Sequence, residues 1–140
     1  MKPLTTSVCA ALALLAPALT GISQCDDGGT APVILNAYAI CASDTESVLW
    51  ELNATVSDSE GDEDVAEVYA DVYDTQGGDE VLEQWTLSYS GSSIWHLQID
   101  EADSAVLDCN RAEDFLFEFT AVDGAGEIGT KDVAGSSANL

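Results

Sequence analysis

Apolar and polar residues alternate along most of this chain. In the stretch 48–56, Val48, Trp50, Leu52, Ala54 and Val56 fall on one side and Glu51, Asn53 and Thr55 on the other. A period of two is the pattern of a half-buried strand. The same alternation sets Ala66, Val68, Ala70 and Val72 against Glu67, Tyr69, Asp71 and Tyr73. It sets Trp95, Leu97 and Ile99 against His96 and Gln98, and Phe115, Phe117, Phe119 and Ala121 against Leu116, Glu118, Thr120 and Val122. Stretches 33–41, 81–89 and 127–133 complete a set of about seven strands. Trp50, Trp85 and Trp95 are expected in the core. Glycine-, serine- and aspartate-rich turns separate the strands at 58–61, 76–79, 90–92 and 123–126, and only 100–110 has room for a helical turn. Seven short strands in about 100 residues predict an all-β fold, a Greek-key β-sandwich.

The first 24 residues break this pattern. Lys2 precedes an apolar run over 8–15, followed by small residues, Pro17 and then Ile22-Ser23-Gln24-Cys25. That order reads as an export signal, removed from the mature protein. The run is too short and too broken for a comfortable membrane span, which needs about 20 apolar residues. The segment resembles a bacterial lipoprotein signal. That resemblance implies cleavage before Cys25 and acylation of its thiol, so that the protein meets the membrane only through a lipid anchor. Ordinary cleavage after Ala16-Pro17-Ala18, giving a secreted or periplasmic product, and a retained anchor remain as alternatives. The organisation expected is a signal peptide over 1–24, a flexible tether over 25–32, one domain over 33–134 and a polar tail over 135–140.

Cysteine arithmetic is consistent with a lipid on Cys25. Cys9 leaves with the signal, and Cys25, Cys41 and Cys109 remain. An odd count in an exported protein calls for an explanation. With Cys25 acylated, Cys41 and Cys109 form one pair in an oxidising compartment. A bridge between them would close a loop of roughly 70 residues, worth about 4 kcal/mol of chain entropy. The alternative is two small buried hydrophobes that never meet. None of the four cysteines has C-x-x-C spacing, so a zinc site is not expected.

Charge changes the picture further. The chain carries 26 Asp and Glu against 3 Lys and Arg, a formal net charge of −23. Every acidic residue lies after Cys25. Such a surface repels nucleic acid and anionic membranes. It serves solubility or life in high salt on one reading, and divalent-cation binding on another.

Two passages carry a resemblance. The stretch 53–65, Asn-Ala-Thr-Val-Ser-Asp-Ser-Glu-Gly-Asp-Glu-Asp-Val, resembles the strand-B, loop, strand-C passage of bacterial Ig-like and cadherin-like modules. The stretch 117–127, Phe-Glu-Phe-Thr-Ala-Val-Asp-Gly-Ala-Gly-Glu, resembles their F–G hairpin. The expected strands B and F lack cysteine and strand C lacks tryptophan, unlike antibody domains, so the likeness is to the loose bacterial class. It implies an Ig-like Greek-key sandwich with Cys41 and Cys109 at one pole and the B–C and F–G loops at the other. Those loops hold Asp58, Glu60, Asp62, Glu63, Asp64, Asp123 and Glu127. Oxygen-rich clusters suit calcium, and Asp58, Glu60, Asp62, Asp64 and Asp123 are the candidate ligands. A solvated acidic pole is the alternative. No other cofactor is expected.

Catalysis finds little footing. His96 is the single histidine, placed mid-strand on the polar face, with no serine or cysteine at a spacing that makes a triad. No phosphate-binding glycine loop is present, and the chain is expected not to be an enzyme. Tyr69 and Tyr73 share the outward face of one strand and could stack on sugar, though tyrosine is also an ordinary sheet-face residue. The sequence therefore points to a non-enzymatic module of the cell envelope for adhesion, scaffolding or binding of a protein or glycan. The alternative is a calcium- or carbohydrate-binding sandwich.

Overall fold

The computed structural model describes residues 29–43 and 47–139. The export signal and Cys25 lie outside them. Nine strands are found among the described residues: β1 (Val33–Ser43), β2 (Val48–Ser57), β3 (Val65–Asp74), β4 (Glu83–Thr86), β5 (Ser88–Gly91), β6 (Ile94–Asp100), β7 (Phe115–Asp123), β8 (Ile128–Ala134) and β9 (Ser136–Asn139). Short 3₁₀ turns cover Asp62–Asp64, Glu101–Asp103 and Cys109–Asp114. The strands form two sheets, ordered β5-β6-β2-β1-β9 and β4-β3-β7-β8. Every pairing is antiparallel except β1 with β9. The fold is an all-β sandwich.

The alternation explains the core. Trp50, Leu52, Ala54 and Val56 of β2 point inward from the first sheet, and Val68, Ala70 and Val72 of β3 with Phe115, Phe117, Phe119 and Ala121 of β7 from the second. Trp50 joins the layers, with its ring 6.1 Å from Phe115 in an edge-on contact and 5.4 Å from Phe117. Trp95 is also buried, and Trp85 packs against the core from its rim.

The strand pattern departs from expectation at three places, each for a physical reason. The stretch 81–89 is two strands rather than one. Residues 83–86 pair with β3, residues 88–91 pair with β6 in the other sheet, and buried Leu87 fills the crossing between them. The polar stretch 135–140 includes β9, whose backbone pairs with Ile40–Ser43 of β1. An edge strand held by its backbone leaves little trace in side-chain pattern. Register shifts, finally, change which residues face inward. One between Val65 and Glu67 buries Val65 and exposes Ala66, and another between Ile34 and Asn36 resets the inward face of β1. A bulge of this kind inserts one unpaired residue, so the alternation continues on either side with its phase shifted by one.

The strand directions define two poles. β1 begins opposite the end of β2, Val33 facing Ser57, so the chain enters the domain at the pole of the β2–β3 and β7–β8 connections. At the other pole Cys41 and Cys109 are disulfide-bonded across 68 positions of sequence, with Cα atoms 5.6 Å apart. The bridge ties β1 to the turn that leads into β7.

Candidate functional site: a carboxylate cluster at the entry pole

The β2–β3 connection is built by its own backbone bonds. Asp58 follows the last residue of β2 and uses one carboxylate oxygen, Oδ1, to accept the Glu60 amide at 2.8 Å. The chain then turns through Gly61, whose φ of 123° lies in the region open to glycine. The Asp64 amide closes the turn on the Gly61 carbonyl at 2.9 Å.

The β7–β8 hairpin is organised by Asp123 in the same way. Its Oδ1 accepts the Ala125 amide at 2.9 Å and the Glu127 amide at 2.7 Å. The two connections are joined directly, since the Gly124 amide donates to the Asp64 carbonyl at 2.8 Å. Gly124 permits the close approach. A Cβ there would stand 3.2 Å from Asp64 Oδ1.

Three carboxylates meet at this junction. One oxygen each from Asp58, Asp64 and Asp123 lie within 4.8 Å of one another. Asp58 is 8% exposed and Asp123 3%. On both, Oδ1 is occupied by backbone amides, while Oδ2 is buried without a hydrogen-bond partner. Buried carboxylate oxygens are normally satisfied, and an orphan calls for an explanation. Two orphans beside a third carboxylate form a pocket of unneutralised negative charge.

The Asp58 carboxyl is perturbed chiefly by Glu60, with Asp64 the smallest contribution. The Glu60 amide on its Oδ1 lowers its pKa. The nearby Glu60 carboxyl, the burial of Asp58, and the charges of Glu60 and Asp64 outweigh this and leave the group above its ordinary value of 3.8. Glu60 moves the other way, held down first by the Ser59 hydroxyl and then by Asp58.

Of the five candidate ligands, the structure gathers Asp58, Asp64 and Asp123. Glu60 points to the rim, where it takes the Ser59 hydroxyl at 2.7 Å and a backbone bond from Thr30 at the domain entrance. Asp62 is engaged elsewhere, accepting the Ser93 hydroxyl from the β5–β6 turn. That turn holds Ser92 and Ser93 at positive φ, 52° and 65°. Nothing in the local sequence links Ser93 to Asp62, because the contact spans 31 positions.

The other candidates resolve as follows. His96 Nε2 lies 3.9 Å from Glu51 Oε1 on the outer face of the first sheet. Tyr69 and Tyr73 are half-buried rather than a row of exposed rings. Burial and neighbouring Glu118 push the Tyr73 phenol above its ordinary 10.0. Among the described residues no helix is long and apolar enough to cross a membrane. No protein-family model matches this chain, and no curated protein or solved structure does so either.

Proposed function

We propose that the chain is an exported, non-enzymatic Ig-like module of the cell envelope, lipid-anchored through Cys25, whose entry pole binds calcium. The single observation that carries the cation is the pair of buried, unpartnered oxygens, Asp58 Oδ2 and Asp123 Oδ2, beside Asp64. Calcium takes oxygen ligands at about 2.3–2.6 Å, so two ligands on opposite sides of one ion stand about 5 Å apart. A group of oxygens spanning no more than 4.8 Å fits that reach. A hard cation would neutralise the junction and clamp the β2–β3 and β7–β8 connections together.

The Ig-like reading is supported by the strand order. Strands β1, β2, β5, β6 and β9 share one sheet and β3, β4, β7 and β8 the other, with the chain crossing between layers after β2, β4, β6 and β8. Repeated crossing between two largely antiparallel layers is compatible with Greek-key connections and supports the Ig-like reading. The bridge between Cys41 and Cys109 favours an oxidising compartment and hence export. The half-buried tyrosines weaken the carbohydrate alternative, and His96 faces outward beside Glu51 on the sheet surface rather than into a cleft with a nucleophile. The module's own binding partner is a protein or glycan of the envelope.

Calorimetric titration of chelator-treated protein with calcium tests the site. One bound ion per chain is expected, lost in Asp58→Asn, which keeps the Oδ1 contact to the Glu60 amide. The absence of calcium heat in the wild type at millimolar ion would overturn the cation site.

A further inference from the structure

The three most exposed large apolar side chains among the described residues gather at one corner of the entry pole. Val33 is 55% exposed, Leu35 59% and Ile128 55%. Val33 opens β1 opposite Ser57, and Ile128 opens β8 directly after the β7–β8 connection. Leu35 is the residue that the β1 register shift leaves unpaired, between Ile34 and Asn36. The bulge thus turns an apolar side chain out to solvent.

The edges of β1 and β8 abut here. A Cβ on Gly129 would stand 1.9 Å from the Pro32 carbonyl oxygen, and the Lys131 ammonium donates to the Leu35 carbonyl at 3.0 Å. Apolar side chains scattered singly over a surface need no explanation, but three on one corner do. The corner also holds a cation in a chain that has few. Of the two basic residues among those described, Arg111 is held by Asp74 and Asp114 toward the other pole, and Lys131 stands beside Leu35.

We propose that this corner is a membrane-contact surface. Val33, Leu35 and Ile128 enter the boundary between headgroups and acyl chains, and Lys131 lies at the level of the phosphates. The inference rests on the lipid anchor at Cys25 proposed above. Eight Cα-to-Cα steps separate Cys25 from Val33, a reach of at most about 29 Å. An acyl group on Cys25 therefore holds this corner at the bilayer. The far end of β1, an 11-residue strand, lies about 35 Å further on. Apolar side chains with a flanking lysine suit an interface in which one layer is apolar and the next carries phosphate. The excess of carboxylates opposes an anionic surface, so the surface that fits is zwitterionic.

Partition onto vesicles tests the corner. The mature chain begins at Cys25, and with Cys41 and Cys109 bridged its one free thiol is that of Cys25. That thiol is coupled through maleimide to a single myristoyl-length chain, and binding to phosphatidylcholine vesicles is read by sedimentation. One such chain gives only marginal, reversible binding, so added apolar contact shows directly in the partition coefficient. Val33→Ser with Leu35→Ser and Ile128→Ser is expected to lower partition about tenfold. Val81→Ser with Leu82→Ser, at an exposed apolar pair away from the corner, is expected to leave it unchanged. Leu35→Ser alone, at the unpaired bulge position, is expected to give part of the loss, and it decides the matter if the triple variant does not fold. Equal partition of wild type and corner variants would overturn the proposal, as would an equal loss in the control pair. If the corner covers a second copy instead, uncoupled protein will sediment as a dimer that the triple variant dissociates, and the membrane assignment falls. Failure of the anchor reads out separately, as the absence of acyl mass on Cys25 in protein isolated from its own membrane fraction.

Discussion

Removal of the bridge by Cys41→Ala with Cys109→Ala has a calculable effect. The bond spans 68 positions. In the loop-entropy argument a closed loop of that size restricts the unfolded chain by about 4 kcal/mol, and native bridges of small exported domains are worth about 2–5 kcal/mol. The native state adds little opposing cost, since the two Cα atoms sit at an ordinary disulfide spacing. For a domain near 100 residues, each kcal/mol shifts the melting temperature by about 4–8 °C. The double variant is therefore expected to melt about 15–30 °C below the wild type. The assay is urea unfolding at equilibrium, read by tryptophan fluorescence, since Trp50 is buried between Phe115 and Phe117 and reports the core. A loss of about 4 kcal/mol in extrapolated stability is expected. A loss below about 1 kcal/mol would refute the reasoning, because it would mean that the bridge leaves the unfolded chain nearly as free as before.

Other outcomes follow from particular contacts. Gly129→Ala would place a Cβ 1.9 Å from the Pro32 carbonyl oxygen, so β1 and β8 must separate; a loss of about 1–3 kcal/mol is expected in the same urea assay. Phe117→Ala empties the centre of the core beneath Trp50 and is expected to cost about 3–5 kcal/mol. Asp74 is held below its ordinary 3.8, first by its hydrogen bond to Arg111 and then by the Gln76 amide. Its contribution to stability is present above 3.8 and is lost as pH falls through the lower folded value. Asp74→Asn should accordingly flatten the acid limb of the stability profile below pH 3.8. Asp58 has the opposite sign. Its raised pKa makes calcium-free protein gain stability as pH falls from neutrality toward 3.8, and acid titration of Asp58→Asn should lack that gain.

The parts of the fold that were legible in sequence are those where one face of a strand is buried and the other wet. The alternation over 48–56 and 115–122 gives β2 and β7 directly, and with them most of the core. Leu87 marks the limit. A single apolar residue between two four-residue strands looks like the middle of one strand, because only the three-dimensional crossing separates the sheets. The strand Ser136–Asn139 was illegible for a related reason, since its pairing uses backbone groups that every sequence possesses. At the candidate site the loops were legible and the ligand set was not. In a chain with 26 acidic residues, carboxylate identity carries little information. Burial sets Asp58 and Asp123 apart, and Asp62, half-buried like Asp64, is drawn away by a serine 31 positions distant.

The cation site makes a claim about sign that one experiment reads directly. Asn at position 123 retains the Oδ1 contacts to the Ala125 and Glu127 amides and removes only the charge that faces Asp58 and Asp64. Wild type and Asp123→Asn are melted after chelator treatment, in calcium and in sodium chloride of equal ionic strength. Without calcium the variant is expected to melt above the wild type, because a repelling carboxylate is gone. With calcium at a hundredfold excess over its dissociation constant, the wild type alone is expected to gain about 2.7 kcal/mol, and the order of the two proteins reverses. Equal shifts of the wild type in both salts, or a variant that is less stable without calcium and responds to it undiminished, would contradict the account.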